Sequence, residues 1–383
     1  MPRVPRRHPR QSLNGCAGRR TSAKRHRRHV TACRRESARG AARLPWACRT
    51  ERSARPMEFT HVINQMLVLC VPILVGYLAA RLGYLDEDLN TKLSRLIVNI
   101  ALPCLVVGSA FGADGLPDAP VVLELMFYSA IGYAIAYLLA LAIPALMRSS
   151  AAERGIYRFV VVFGNVGFIG YPVLSAIYGP RAVLYAAIAA IPESLILYSA
   201  GEQMIRDSAA LRAADGTAAG TAGGDSELAW GQKIVSFLKS CVNPTFIASL
   251  VLVALVLLRV DNLGFLGSGM QVVGNLTTPA ALLVTGGTLA GYEPVSMLSN
   301  WRAYVAAIAR LLIVPVAMLL VLRPLIADDF VRGVVVIGAA MPVASVGVLF
   351  CLAYGADTKP MMQSTFVAII ASVISIPLLA LIV

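Results

Sequence analysis

The segment "GNVGFIGYPVLSAIYG", residues 164–179, is apolar enough to lie in lipid but poorly suited to form one continuous helix. Glycine weakens a helix, and proline lacks the backbone N–H that the helix interior uses. The segment carries five such residues, at Gly164, Gly167, Gly170, Pro172 and Gly179. Asn165 adds a polar amide that hydrocarbon leaves without a partner. The pattern predicts a membrane helix that is interrupted.

The whole chain has the composition of a polytopic membrane protein. Of its 383 residues 57% are hydrophobic and 14% charged, and the mean hydropathy is +0.69. A soluble domain is far less apolar. After Met57 the sequence forms apolar runs about 20 residues long, enough to cross a bilayer. Ten spans are predicted, at 59–80, 92–111, 120–147, 156–178, 181–205, 233–258, 267–290, 301–322, 331–353 and 360–382.

The net charge of +13 comes from the first 56 residues. Residues 1–56 hold 17 Lys and Arg against two Glu, whereas the remainder holds 17 Lys and Arg against 19 Asp and Glu. This segment has no signal-peptide core and no periodicity of a folded domain. The segment is predicted to be disordered. It is interpreted either as an RNA-binding arm, a lipid anchor or a transit peptide, or as an extension upstream of a start at Met57.

Prolines recur at similar offsets in two halves of the chain, which predicts an internal repeat. The pairs lie 170 to 176 residues apart and are Pro72 with Pro244, Pro103 with Pro279, and Pro172 with Pro342. The predicted repeats are 57–205 and 233–383, joined by a flexible linker at 206–232 that is rich in Ala and Gly. Five spans per repeat would invert the second copy, as in many secondary transporters.

The fourth and ninth spans are predicted to be broken at equivalent places and to cross. The breaks fall in "GNVGFIG" (164–170) and "GAAMPVASVG" (338–347). Helix N-termini exposed there carry partial positive charge, which suits an anion. The predicted substrate-binding residues are Gly164, Asn165, Gly167, Tyr171, Pro172, Pro342 and Ser345. For Asn165 the alternative is an amide that only links helices.

Two charged residues are predicted to lie deep in the membrane, Glu193 in the fifth span and Arg310 in the eighth. Charges at that depth are costly unless they are paired or hydrated. One interpretation is a proton-coupling carboxylate and a guanidinium that binds the anion or links helices. The other is an ion pair, or two separate structural groups with hydrogen bonds of their own.

The distribution of basic residues predicts the orientation. Twelve Lys and Arg lie in or beside the loops that follow odd-numbered spans, and four beside the loops that follow even-numbered spans. The positive-inside rule therefore places the linker 206–232 in the cytoplasm and both ends of the ten-span core outside. A basic segment 1–56 would then have to cross the membrane, which favours the interpretation that it is not in the mature protein.

Several of these segments together resemble the auxin efflux carrier family, which includes plant carriers and bacterial malate- and malonate-type permeases. They are "LSRLIVNIALPCLVVGSAF", "GNVGFIGYPVLSAIYG", "NPTFIASLVLVAL", "TTPAALLVTGGTLAG" and "MPVASVGVLFCLAYGAD". The resemblance implies ten helices, a scaffold part and a transport part, and a small organic anion bound where spans four and nine cross. It also implies that Asn165 lies beside a substrate carboxylate. The long cytoplasmic loop of the plant carriers is missing, which favours a permease of the bacterial inner membrane.

The sequence thus predicts an all-α secondary transporter or facilitator of small carboxylates that works by alternating access. A membrane receptor on the same fold and a nucleic-acid-binding protein are the alternatives, the second on the basic segment alone. No enzymatic constellation, metal site or cofactor is predicted, and nucleic acid is not expected as a partner. Proton or sodium coupling and a homodimer are left open.

Overall fold

The computed structural model describes residues 59–111, 115–214, 243–260 and 262–383. Within these ranges every regular element is a helix, apart from an isolated antiparallel bridge between Gly164 and Val343. The predicted all-α class is confirmed for this part of the chain. The predicted basic extension 1–56 and the linker residues 215–232 lie outside the described ranges.

The described residues before 215 form helices α1 to α6. Their bounds are α1 Phe59–Arg81, α2 Glu87–Gly108, α3 Ala119–Leu146, α4 Ala151–Val162, α5 Val166–Tyr178 and α6 Arg181–Ala214. Single π-helical turns lie inside α2, at the start of α5 and inside α6, at Ile97–Ala101, Val166–Gly170 and Leu197–Gly201. Such turns are often found where a helix is under functional constraint.

The described residues after 242 form helices α7 to α13. Their bounds are α7 Pro244–Leu257, α8 Phe265–Ala290, α9 Pro294–Leu298, α10 Trp301–Leu322, α11 Asp329–Ala339, α12 Val346–Tyr354 and α13 Thr358–Ala380. A short turn divides α8 after Gly274, and a π-helical turn at Ala309–Ile313 lies inside α10.

Seven of the described helices are long and apolar enough to cross a membrane by length and composition. They are α1, α2, α3, α6, α8, α10 and α13, and the apolar helices α5 and α7 are shorter. Large apolar side chains on α1 point outward, and Leu67, Leu74 and Leu78 are 56%, 60% and 57% exposed. An apolar surface of this kind suits lipid rather than water, so the chain is an integral membrane protein.

Helix α1 packs directly against α8 through two glycines. A Cβ atom on Gly76 would lie 2.1 Å from the Leu283 carbonyl oxygen, and one on Gly286 would lie 2.0 Å from the Ile73 carbonyl oxygen. Neither backbone oxygen can move aside without disturbing its own helix. Small residues on facing helices allow this close approach, which is a common way of packing helices in membranes.

The structure corrects one helix end and redefines another. The fifth span was predicted to end at residue 205, but α6 continues to Ala214, so the predicted flexible linker is wrong for residues 206–214. This stretch is rich in the helix formers Ala, Leu and Arg, and Arg206 pairs with Glu202 one turn earlier at 2.7 Å. Helix α7 begins at Pro244, and the predicted helical residues 233–242 lie outside the described ranges.

Connections at the same end of the helices contact one another. At one end, Nη2 of Arg302, at the start of α10, donates to the carbonyl of Arg148, which follows α3, at 3.2 Å. At the other end, Arg259, which follows α7, pairs with Asp118, which precedes α3. Each contact therefore joins a connection before residue 215 to one after residue 242.

Two of the predicted spans are divided, and each break overlaps the segment where it was predicted. Residues 163–165 separate α4 from α5, and residues 340–345 separate α11 from α12. The short helices on either side of each break end or begin in the interior of the protein. These four ends define the candidate site.

Candidate functional site

The two breaks pair with each other through backbone hydrogen bonds. The Asn165 N–H donates to the Pro342 carbonyl at 2.7 Å, and the Ala344 N–H donates to the Phe163 carbonyl at 3.1 Å. Backbone groups released from a helix inside a membrane protein need such partners, because lipid supplies none. The pairing thus holds the crossing of the two broken helices in a defined geometry.

The local sequence explains why the chain breaks here. Gly164 packs so closely that a Cβ atom would lie 2.0 Å from Nη2 of Arg310 and 3.2 Å from the Met341 carbonyl oxygen. Only glycine fits at this position without displacing the guanidinium. Pro342 has no N–H to continue a helical ladder, and its carbonyl is used by the opposite break instead.

Asn165 joins the two breaks and also caps α5. Its Oδ1 accepts a hydrogen bond from the Phe168 N–H at 3.1 Å, which satisfies one of the free amides at the helix start. Its Nδ2 donates to Oγ of Ser345 at 2.9 Å. Asn165 is 8% exposed, whereas Ser345 is exposed. The amide therefore has a structural role, and its neighbour Ser345 is the accessible member of the pair.

The crossing separates two kinds of helix ends. Helices α5 and α12 begin there, so their free N–H groups and partial positive charge lie at the crossing. Helices α4 and α11 end there, and contribute free carbonyls with partial negative charge. Gly167, in the first turn of α5, is partly exposed, and a Cβ atom there would meet only the tip of Leu102 at 3.3 Å.

Arg310 from α10 compensates the carbonyl ends. Its Nη1 donates to the carbonyl of Val162 at 2.7 Å and more weakly to that of Val161 at 3.4 Å, and its Nε donates to the Met341 carbonyl at 3.0 Å. The side chain is 1% exposed, and Nη2 has no hydrogen-bond partner among the described residues. A buried cation at two helix C-termini is favourably placed against their dipoles. One guanidinium therefore links both broken helices.

Glu193 lies in α6 beside the crossing, next to Pro192 in the chain. It is 6% exposed, it lines a cavity together with Tyr133 of α3, and Arg310 is within electrostatic range. In the described part of the chain it forms no ion pair within 4.0 Å, so the direct pair with Arg310 that the sequence left open is not present. Nearby, Ser129 Oγ donates to the Ala189 carbonyl at 2.5 Å.

A small cavity of about 30 Å³ connects Glu193 with the broken helices. Its polar lining comes from Ser129, Tyr133 and Glu193, and the rest of its wall is apolar. Val166, the residue after Asn165, lines it from α5, and α11 lines it with Val334, Val335, Gly338 and Ala339. A space of this size holds one or two water molecules.

The structure brings most, but not all, of the predicted site residues together. Gly164, Asn165, Pro342 and Ser345 meet at the crossing, and Gly167 lies one turn into α5. Tyr171 and Pro172 are buried further along α5, where Tyr171 is within electrostatic range of Glu193 rather than at the crossing.

Two polar residues of the cavity, Tyr133 and Ser129, were missed by the sequence analysis. They stand in the apolar run "YSAIGYAIAYLLA" without any motif to mark them. The signal that was available is their spacing: four residues apart, they lie on the same face of α3. Within the described ranges no group of three His, Cys, Asp or Glu residues could hold a metal ion.

Comparison with known proteins gives a consistent result. Residues 61–380 match the family model described as membrane transport protein. An uncharacterized transporter of Methanothermobacter thermautotrophicus is 30% identical over 151 residues, covering 38% of this chain and 47%, about half, of that protein. The uncharacterized transporter YfdV of Escherichia coli K12 is 22% identical over 333 residues, covering 83% of this chain and 96% of that protein, and the YfdV protein of Shigella flexneri matches equally.

Proposed function

Because this chain belongs to the auxin efflux carrier family of membrane transport proteins, we propose that it is a secondary transporter of small organic anions. The anion binds where α5 and α12 begin, and alternating access carries it across the membrane. The observation that supports this function is the pairing of the two broken helices at Asn165 and Pro342, which holds two helix N-termini at one place in the interior.

The N-termini of α5 and α12 favour an anionic ligand. Free N–H groups and the positive ends of both helix dipoles suit a carboxylate. The free carbonyls at the ends of α4 and α11 already accept hydrogen bonds from Arg310. The exposed hydroxyl of Ser345 and the accessible backbone of Gly167 offer further contacts. Malate, malonate and auxin-like acids are the candidate substrates.

The architecture that we propose is a ten-span inverted repeat, with a first copy that ends with α6 at Ala214 and a second copy at 233–383. The divided spans, α4 with α5 and α11 with α12, cross each other at its centre. The contacts of Arg302 with Arg148 and of Arg259 with Asp118 support it, since each joins loops that this topology places on the same side. An inverted repeat with two discontinuous helices at its centre is a recurrent design of secondary transporters.

Uptake into proteoliposomes tests the proposed function. Purified protein is reconstituted, and uptake of radiolabelled malonate, malate and indole-3-acetate is compared with uptake of the uncharged analogue malonamide. We expect at least one carboxylate to enter faster than in protein-free liposomes and to exchange against the same unlabelled acid inside. Equal rates with and without protein for all three acids, from a preparation shown to be folded, would contradict anion transport.

A further inference from the structure

We propose that Glu193 is a proton-binding site, and that binding of a proton there and of the anion at the crossing favour each other, so that the transporter carries the two together. The inference rests on the proposed anion transport. It names the coupling ion and the residue that carries it, which the sequence left open between proton and sodium.

The contacts of Glu193 leave its carboxyl group free to exist in either protonation state. Tyr133, which lines the same cavity, can donate a hydrogen bond to a carboxylate or accept one from a carboxylic acid. No cation in the described residues lies within ion-pairing distance to fix the ionised form. Arg310, the nearest candidate, directs its Nε and Nη1 to backbone carbonyls instead.

The other helices around Glu193 add few ionisable groups. Tyr133 comes from α3, Tyr171 from α5 and Arg310 from α10, while the α11 residues of the cavity wall are all apolar. Helix α7 also packs on α6 and carries no titratable residue, and the adjacent end of α2 carries only Cys104. A change of charge in this region therefore falls on Glu193.

The cavity provides the physical link to the substrate. Glu193 lines it together with Val166 in the first turn of α5 and with Gly338 and Ala339 at the end of α11. An anion at the start of α5 and an ionised Glu193 would repel each other across a medium of low dielectric constant. Protonation of Glu193 removes that repulsion. By thermodynamic linkage, the anion must then raise the proton affinity by the same factor by which the proton raises the anion affinity.

The lining of the cavity favours a proton over a metal cation. Its polar side chains are Glu193, Tyr133 and Ser129, which together offer four oxygen atoms. Hard metal cations are bound by about six oxygen ligands. The apolar residues that complete the wall cannot supply them.

Infrared difference spectroscopy tests the proton site without any substrate. The full chain in lipid is titrated with acid as wild type, Glu193→Gln and the control Glu124→Gln, which removes an exposed carboxylate of α3. Acid also protonates the other carboxylates, so the spectra of the variants are compared with one another. We expect one carbonyl band of a protonated carboxylic acid to titrate in the wild type and the control and to be missing in Glu193→Gln. Tyr133→Phe should keep the band and shift its midpoint.

The second measurement is malonate binding as a function of pH. The wild type and Glu124→Gln should bind more tightly as the pH falls, with about a tenfold gain per pH unit above the midpoint if one proton is linked to one anion. Glu193→Gln should bind with the acid-limit affinity of the wild type at every pH, and replacing sodium by potassium should change nothing.

The possible failures are distinguishable. Identical titrating bands in Glu193→Gln and the wild type, or equal pH dependence of malonate binding in the two proteins, would overturn the proton site. A requirement for sodium without a pH dependence would overturn it as well. If Glu193→Gln does not fold, an unchanged midpoint of the band in Tyr133→Phe decides against the site. Absence of malonate binding at all pH values would instead count against the proposed cargo, since the infrared titration needs no anion.

Discussion

The Asn165 side chain donates to the Ser345 hydroxyl at 2.9 Å and so joins two residues that are 180 positions apart in the sequence. Each residue lies at the start of a short helix that begins inside the protein. The hydrogen bond therefore couples the two helix N-termini at which we propose that the anion binds. A movement of one broken helix has to move the other or break this contact.

Asn165→Ala should weaken anion binding more than it destabilises the fold. Nδ2 donates one of its two hydrogens to Ser345, and the second can be donated to a carboxylate at the crossing. A hydrogen bond to a charged partner contributes about 1.5–3 kcal/mol, which corresponds to roughly ten- to 150-fold in affinity. Binding of malonate to the purified variant measures the effect, and thermal denaturation measures the stability.

Asn243→Ala is the matched control for Asn165. Asn243 caps α7 in the same way, with Oδ1 accepting from the Phe246 N–H at 2.8 Å, but it lies at the start of a different helix. Loss of such a cap costs about 1 kcal/mol. Both variants should lose the cap, Asn165→Ala should lose somewhat more stability because it also loses the bond to Ser345, and only Asn165→Ala should lose affinity. Equal affinity of the two variants would show that Asn165 is only a helix cap.

Arg310→Met should destabilise the protein strongly. The guanidinium donates to three buried carbonyls. Each carbonyl left without a donor lowers the free energy of unfolding by about 1 kcal/mol, so we expect a loss of about 3 kcal/mol in total. Arg310→Lys should be intermediate, since one ammonium cannot reproduce the planar fork. The control Arg323→Met removes an exposed arginine near the end of the same helix and should be neutral.

Thermal unfolding in detergent compares these three variants. If Arg310→Met were as stable as the wild type, the cost of burying the charge would equal what its hydrogen bonds contribute. Arg310 would then have no net stabilising effect on the crossing. A role for Arg310 in transport would have to be tested by measuring transport rates instead.

The orientation can be tested with single cysteines in a protein from which all native cysteines are removed. Tyr84→Cys lies in the exposed loop after α1, and Ala119→Cys lies at the exposed start of α3. The positive-inside rule predicts that a membrane-impermeant maleimide labels Tyr84→Cys only from the cytoplasm and Ala119→Cys only from outside. Labelling from the opposite sides would reverse the proposed topology.

The sequence was sufficient to predict the breaks and the buried charges, because both depend on residue type. Glycine and proline disfavour a continuous helix wherever they fold, so the breaks at 163–165 and 340–345 lie in segments rich in these residues. An ionisable residue in a long apolar run is equally visible, and Glu193 and Arg310 are both deeply buried, as expected.

The partners of those charges could not be predicted from residue type. Arg310 binds backbone carbonyls, which every residue possesses, so nothing in the sequence marks Val162 or Met341 as its acceptors. Tyr133 approaches Glu193 only because α3 packs against α6. The end of α6 was also missed, because Ala-rich sequence suits both a linker and a helix.

Gly164 and Gly167 are three residues apart, and replacing each by alanine should affect a different property, stability at Gly164 and transport at Gly167. At Gly164 the new methyl group would lie 2.0 Å from Nη2 of Arg310, whose guanidinium is held by hydrogen bonds, so we expect a loss of about 1–3 kcal/mol in unfolding free energy. At Gly167 only the movable tip of Leu102 is near, at 3.3 Å, so the fold should persist while the methyl group obstructs the anion. Gly269→Ala, with nothing within 4 Å, is the control and should alter neither property. Thermal unfolding and malonate uptake, measured on all three variants, should separate stability from transport, and unchanged uptake by a folded Gly167→Ala variant would exclude the start of α5 from the anion site.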